Sequence, residues 1–284
     1  MKVWVGSGTT GAMIDAGAAS ISIFDHGFTV GDGVFETVKC VDGRLFLWDW
    51  HMERLQRSAA GLGIALPDVE HLTTIACTVA DAWTAEHDVP ARLRLTVSAG
   101  SGPLGSARAQ AESTVVCAAA PIPDRPGPAT LQTAAWPRNE RSPLVGIKST
   151  SYAENVLALA LAQDCGASEA LFLNSRGYVC EGTGSNVFIV KNGIVRTPPV
   201  STGLLPGVTR RFVLTVASKD MPITESNITV DQLHAADEVF LTSSLQDVRA
   251  VSRIDDTTFP VGERTLAIQR RFVAAAATAG YWTP

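Results

Sequence analysis

The chain has 284 residues, 46% hydrophobic and 18% charged, with a formal net charge of -5. That length and hydrophobic content build a globular protein with a sizeable core, in one large or two modest domains, and exclude a disordered chain. The acidic balance without any block of like charges leaves no basic footprint for nucleic acid, and no apolar run reaches membrane-spanning length.

Five cysteines, Cys40, Cys77, Cys117, Cys165 and Cys180, show no CxxC spacing. They read as reduced core thiols of a cytoplasmic protein and offer no zinc set, so no metal is expected. The amino terminus opens as a strand without the apolar core of a signal sequence.

Taken in chain order, residues 3–5 and 20–24 read as short strands. Asp25-His26-Gly27 leads into Val30-Gly31-Asp32-Gly33-Val34-Phe35-Glu36, where two glycines around Asp32 signal a tight turn feeding a strand. That turn is either a simple connection or the wall of a site. Asp42-Gly43 marks a hairpin, residues 45–48 a strand, and Asp49 is placed to cap a helix. The core stripe of that helix is Met52, Leu55, Ala59 and Leu62, which leaves His51, Arg54 and Arg57 on its other faces.

Asp68 starts a second amphipathic helix, with Val69, Leu72, Ile75, Ala76, Val79 and Trp83 on one face. Residues 92–98 alternate, sending Leu93, Leu95 and Val97 to a core and Arg92, Arg94, Thr96 and Ser98 to the opposite side. The 100–106 loop is glycine-rich and short of charge, and residues 114–120 are strand-like. Four prolines fall within residues 121–128. This stretch is the expected linker between a smaller N-terminal domain, 1–120, and a larger C-terminal one, 129–284.

The second half begins with a strand-like run over 130–136 and then reaches Lys148. Only five lysines occur. Lys2 lies at the terminus, Lys39 before the Asp42-Gly43 turn, Lys191 at a Lys191-Asn192-Gly193 turn, and Lys219 where a helix runs out before Pro222. Lys148 instead follows Leu144-Val145-Gly146-Ile147 and precedes Ser149, Thr150 and Ser151. An amine held partly out of water there has a lowered pKa, as a Schiff-base lysine requires; the alternative is a surface lysine ahead of an ordinary helix.

Ser151 and Glu154 have capping-box spacing for a helix over 152–163 that Gly166 stops, which puts the lysine at a strand-to-helix corner. Residues 170–174 read as a buried strand leading to Cys180-Glu181-Gly182-Thr183-Gly184-Ser185-Asn186, where the Glu181 carboxylate either caps local amides or meets a buried base. Pro206-Gly207 precedes a helix whose first amides, with the Thr209 hydroxyl, offer an anion site. Residues 237–241 form a strand ending in Thr242-Ser243-Ser244, and 262–277 a closing helix.

Read together, these pieces resemble the class IV aminotransferase family, the pyridoxal-phosphate enzymes of fold type IV. The landmarks are Phe35-Glu36, His51-Met52-Glu53-Arg54-Leu55 with Ser58-Ala59, Lys148 with Asn155-Val156-Leu157-Ala158, Glu181-Gly182-Thr183 with Ser185-Asn186, Leu205-Pro206-Gly207-Val208-Thr209-Arg210, and Thr242-Ser243-Ser244. They fall in the family's order and span nearly the whole chain.

The resemblance implies an α/β fold with α+β character in two domains, pyridoxal 5'-phosphate in the cleft, and a homodimer completing the pocket. Lys148 would hold the cofactor covalently and then move a proton. Glu181 would keep the pyridine nitrogen protonated. Arg54 would grip the phosphate bidentately, joined by Val208, Thr209, Ser243 and Ser244, with Ser185 and Asn186 completing the cofactor set. Phe35, Glu36, Arg94, Leu104 and Thr242 would meet the substrate.

Three departures narrow the activity. The D-amino-acid transaminases carry an arginine and a histidine in the loop that here reads Gly100-Ser101-Gly102-Pro103-Leu104-Gly105-Ser106. The branched-chain enzymes show a Gly-Thr-Ala-type turn where this chain has Thr242-Ser243-Ser244. The aminodeoxychorismate lyases place a threonine where Glu36 stands and an arginine in the 100–106 loop.

Arg94 is either a replacement carboxylate anchor or a surface charge. The pattern favours a transaminase moving an amino group from a D-amino acid or (R)-amine to a 2-oxo acid. A 4-amino-4-deoxychorismate lyase and an L-branched-chain aminotransferase are the alternatives. A non-catalytic binding protein of the same fold would need neither Lys148 nor Glu181.

Overall fold

The structure is a computed structural model describing residues 1–217 and 221–282, so the expectation for Lys219 lies outside the described residues. The chain divides into two compact units, one of Met1–Asp124, Ile147–Tyr152 and Gly280–Pro284, the other of Arg125–Gly146 and Ala153–Ala279. The first break falls inside the proline-rich stretch, but the halves are not contiguous as the sequence suggested. Phe35 N donates to Lys148 O at 3.0 Å and Thr150 N to Gly33 O at 2.8 Å, which ties the lysine segment to the first unit.

The first unit is built on an antiparallel sheet. Its strands are β1 (Lys2–Ser7), β2 (Thr10–Asp15), β3 (Gly33–Val41), β4 (Arg44–Phe46), β5 (Ala91–Ser98) and β6 (Thr114–Pro121), with a last strand at Tyr281–Trp282. From that last strand the order runs β4, β3, β5, β6, β1, β2. Asp42 and Gly43 both take positive φ, 50° and 73°, the two-residue geometry that reverses β3 into β4.

The short helix α1 (His26–Thr29) precedes β3, and two long helices, α2 (Trp48–Leu62) and α3 (Val69–Glu86), lie between β4 and β5. Met52, Leu55 and Ala59 from α2 and Leu72, Ile75, Val79 and Trp83 from α3 close one core with Val34, Val38, Leu93, Leu95, Val97 and Val115. Each Val, Leu, Ile and Met side chain among them contributes about 1.5–3 kcal/mol on burial.

Three local expectations change. Residues 20–24 form no strand, because the Ser22 hydroxyl accepts from Phe24 N and Asp25 caps α1 through Gly27 N. The α2 helix starts from Leu47 in the left-handed conformation, so Asp49 sits in its first turn and not at its cap. At α4 (Ala153–Asp164) the Ser151 hydroxyl donates to Gly31 O and Glu154 pairs with Arg138, and these partners replace the expected capping box.

The second unit holds a mixed sheet of β7 (Ala129–Thr133), β8 (Glu169–Leu173), β9 (Val179–Gly182), β10 (Asn186–Lys191), β11 (Ile194–Thr197), β12 (Ile223–Glu225), β13 (Glu238–Ser243), β14 (Asp247–Ile254) and β15 (Thr257–Thr258). Its order is β12, β11, β10, β13, β14, β7, β8, β9, with β15 on β14. Asn192 and Gly193, at φ 50° and 74°, reverse β10 into β11 as Asp42-Gly43 does in the first unit.

The helices of this unit are α4, α5 (Val208–Ala217), α6 (Val230–His234) and α7 (Glu263–Ala279). Phe188 and Phe240, opposite each other on β10 and β13, stack at 4.7 Å in the sheet. The sheet thereby holds Glu181 at the end of β9 and Thr242 near the end of β13.

Candidate active site

Glu36 lies on β3 and is fully buried, with His51 and Arg54 of α2 beside it at 1% and 3% exposure. Three residues apart on a helix, His51 and Arg54 share a face. His51 Nδ1 is 2.7 Å from Glu36 Oε2, and Arg54 donates from Nε to Oε1 at 2.8 Å and from Nη2 to Oε2 at 2.6 Å. Burial alone would raise the Glu36 carboxyl, but Arg54 and His51 outweigh it and hold it at about 2. Burial also pushes His51 below its ordinary value, against the pull of Glu36. A charged carboxylate, a charged guanidinium and a neutral imidazole result at neutral pH.

The off-stripe face of α2 lies against β3, which supplies the charge opposite to Arg54. Glu36 is the counterion of Arg54. The Nε–Nη2 edge of Arg54 is committed to it.

Its neighbour on β3, Phe35, gathers a different set. The Lys148 ammonium nitrogen stands 4.4 Å from the Phe35 ring centre and the Arg94 guanidinium carbon 3.7 Å from it. The Tyr152 ring meets Phe35 edge-on at 5.5 Å. Lys148 is half-buried. It sits in an extended segment beside β3, with Ser149 bridged to Val34, and not at a strand-to-helix corner.

The backbone of this segment is fixed on both sides. Lys148 N donates to the Ser58 hydroxyl at 3.1 Å, and the Thr150 and Ser151 hydroxyls donate to Gly31 O at 2.8 and 2.9 Å. On the same turn Asp32 accepts two bonds from Arg108, which also reaches Leu62 O at the end of α2. Leu104, expected near the substrate, is 77% exposed.

In the second unit, Glu181 Oε2 accepts from Leu205 N at 2.9 Å, and Arg138 Nε lies 3.7 Å from Oε1. The turn after Glu181 is braced. Ser185 and Gly184 N donate to Glu169, Asn155 donates to Thr183 O, and Asn186 donates to Leu205 O. The Ser185 and Asn186 side chains therefore shape the turn.

Val208 and Thr209 are buried at the start of α5, whose first turn carries no acidic residue. The next residue, Arg210, turns away to Pro198 O and Glu225. Thr242 Oγ1 is buried without a hydrogen-bond partner, and Ser243 and Ser244 beyond it are half-exposed.

A Cβ at Gly207 would collide with Asn186 Oδ1. Gly207→Ala is therefore expected to displace the 205–209 turn and to destabilise the protein by about 1–3 kcal/mol. Chemical denaturation checks this, and an unchanged midpoint would refute it.

Sequence reasoning missed Tyr152, Arg138 and Glu169. Tyr152 carries a faint signal, an aromatic four residues beyond the lysine. Arg138 and Glu169 carry none, because their partners are remote in sequence.

A half-buried lysine on an aromatic ring thus lies in the first unit, and a braced carboxylate and a helix start free of acids lie in the second. Residues 33–254 match the model of the family described as amino-transferase class IV, and the chain belongs to that family.

Among its relatives, a protein of Methanocaldococcus jannaschii provisionally assigned as a branched-chain-amino-acid aminotransferase is 35% identical over 96% of this chain and 95% of its own. An aminodeoxychorismate lyase of Bacillus subtilis is 34% identical over 88% of each chain. A D-alanine aminotransferase of Bacillus licheniformis is 31% identical over 89% of each.

Of solved structures, the branched-chain aminotransferase of Thermoproteus uzoniensis with norvaline superposes with a TM-score of 0.87 at 28% identity, covering 96% of this chain and 93% of that one. A hypothetical aminotransferase of Mycobacterium tuberculosis in its PLP-bound form gives 0.86 at 27%, covering 96% and 98%. No helix among the described residues is long and apolar enough to cross a membrane.

Proposed function

We propose that the protein is a pyridoxal-phosphate-dependent transaminase that takes the amino group of a D-amino acid or (R)-amine and passes it to a 2-oxo acid. The observation that carries this reading is the Phe35 ring with Lys148 at 4.4 Å and Arg94 at 3.7 Å. One aromatic platform thus presents an amine that can shuttle protons and a cation that can hold a carboxylate.

The residues fit the cofactor. The buried Thr242 hydroxyl lacks a partner, Glu181 is a braced carboxylate, and no acid opposes an anion at the start of α5. When bound, pyridoxal phosphate supplies an electron sink for the bond-breaking step.

The chain's own groups do the rest. Lys148 would hold the cofactor and move a proton. Glu181 would keep the ring nitrogen protonated. Arg54, the amides and hydroxyl at Val208 and Thr209, and the Ser243 and Ser244 hydroxyls would hold the phosphate. Arg94, Phe35 and Tyr152 orient the substrate.

With Glu36 buried against Arg54, its difference from the lyase threonine no longer bears on the substrate. The preference for transamination over the lyase rests on the 100–106 loop, which has no arginine. The branched-chain reading keeps the support of the relative at 35% identity.

Half-reactions separate the three. D-alanine or a small (R)-amine is expected to convert the aldehyde-form absorption to the amine form, and pyruvate or 2-oxoglutarate to restore it. Fast pyruvate release from aminodeoxychorismate without amine-form build-up would assign the lyase, and preferential conversion by L-leucine or L-valine the branched-chain enzyme.

We further infer a homodimer, because α4 turns Val156, Leu157 and Leu161 outward at 63%, 54% and 44% exposure, a stripe suited to burial against a second copy. A cytoplasmic setting suits the five free cysteines.

A further inference from the structure

Thr242 is buried on β13 at 2% exposure, and its Oγ1 has no hydrogen-bond partner. A hydroxyl sealed from water without a partner costs stability, so its position is informative. The strand itself does not need it. Asn186 of β10 and Val248 of β14 stand opposite Thr242 in the two flanking ladders, which are made by backbone groups.

The surroundings of the hydroxyl follow from the ladder. Residues directly opposite each other on antiparallel strands project from the same face of the sheet, so Thr242 lies beside the Asn186 side chain. Asn186 donates to Leu205 O at 2.9 Å, and a Cβ on Gly207 would collide with its Oδ1. Thr242 therefore stands next to the turn that leads into α5, and α5 packs on β13.

The start of α5 is electropositive by construction. Its first amides have no acceptor within the helix, and its ten residues align their dipoles behind them. No acidic residue lies in its first turn, and Arg210 is drawn away to Pro198 O and Glu225. Glu181 binds the same turn at Leu205 N, ahead of the helix. A water molecule could satisfy the Thr242 hydroxyl, but only an anion also draws on the helix dipole.

We propose that the Thr242 hydroxyl donates to the anion received at the start of α5, so that its partner is the phosphate of the cofactor and not the substrate. The inference rests on the reading above that α5 takes that phosphate.

Thr242→Val keeps the shape of the side chain and removes only the O–H. In cofactor-free protein without phosphate, the denaturation midpoint of this variant is expected to equal or exceed that of the wild type, because an unpaired buried hydroxyl is gone. Inorganic phosphate, compared with chloride at equal ionic strength, should raise the wild-type midpoint and raise that of the variant less. Affinity for pyridoxal phosphate should fall about tenfold in Thr242→Val, whereas affinity for pyridoxal, which has no phosphate, should not change. Thr242→Ser keeps the O–H and should recover most of the loss.

A lower midpoint of Thr242→Val in the absence of phosphate would show the hydroxyl to be structural and would overturn the proposal. Equal phosphate responses in variant and wild type, or parallel losses of affinity for pyridoxal and pyridoxal phosphate, would overturn it too. A wild type whose midpoint ignores phosphate and which binds the two compounds equally would reject the anion site at α5 as well, and with it the reading on which the inference rests.

Discussion

Lys148→Ala is expected to abolish turnover, with a loss of at least about 10³-fold, because proton transfer by a positioned base alone is worth roughly 10²–10⁴-fold and covalent attachment adds to it. The substitution should leave the fold intact, since the segment is held through Lys148 N and O to the Ser58 hydroxyl and Phe35 N, and these survive the loss of the side chain.

Phosphate binding should persist, because Arg54 and the start of α5 do not depend on the amine. The wild type should be yellow and the variant should lose that band. Borohydride treatment followed by peptide mapping should label Lys148 in the wild type, and a label on Lys2, Lys39, Lys191 or Lys219 would show the assignment to be wrong.

The second large effect is expected on stability. Glu36→Gln leaves Arg54 buried, at 3% exposure, without its counterion. Breaking one side of a buried pair costs about 3–5 kcal/mol, so the denaturation midpoint should drop sharply.

The acid limb gives a second check. The Glu36 carboxyl sits at about 2 in the folded chain against an ordinary 4.5. A depressed carboxyl contributes stability that is complete above the unfolded value and is lost as pH falls through the folded one. Glu36 therefore contributes about 3 kcal/mol that disappears between these two pH values.

His51 adds to the acid side in the same direction. Its folded pKa lies below the ordinary 6.5, so the unfolded chain binds a proton first and stability begins to fall below that pH. Chemical denaturation across pH 7 to 3 should show both components in the wild type and a much shallower slope below 4.5 in Glu36→Gln. A slope that survives the substitution would place its origin in another carboxylate.

Much of the scaffold was legible in the sequence. The alternation of Leu93, Leu95 and Val97 gave the central strand β5, whose three side chains are fully buried. The helical stripes gave α2 and α3, and Asp42-Gly43 and Asn192-Gly193 gave the two hairpin reversals at positive φ. Lys148 stood out by its surroundings, and the order of the short motifs gave the family. All of these are local signals, set by which face of a few consecutive residues meets a core or by which residue tolerates a left-handed backbone.

What the tertiary structure decided are the pairings across the chain. Helical periodicity marks His51 and Arg54 as off-stripe and therefore polar, but whether an off-stripe face meets water or an opposite charge depends on the element laid against it. Here that element is β3, which brings Glu36 to within 2.6 Å of Arg54.

The same holds for the lysine segment, which hydrogen bonds to β3 draw into the first unit, and for Arg138, set 3.7 Å from Glu181 although forty-three positions separate them. A buried charge is stable only beside its partner, and which partner it meets is fixed by the folded path of the backbone, to which a local sequence pattern is blind.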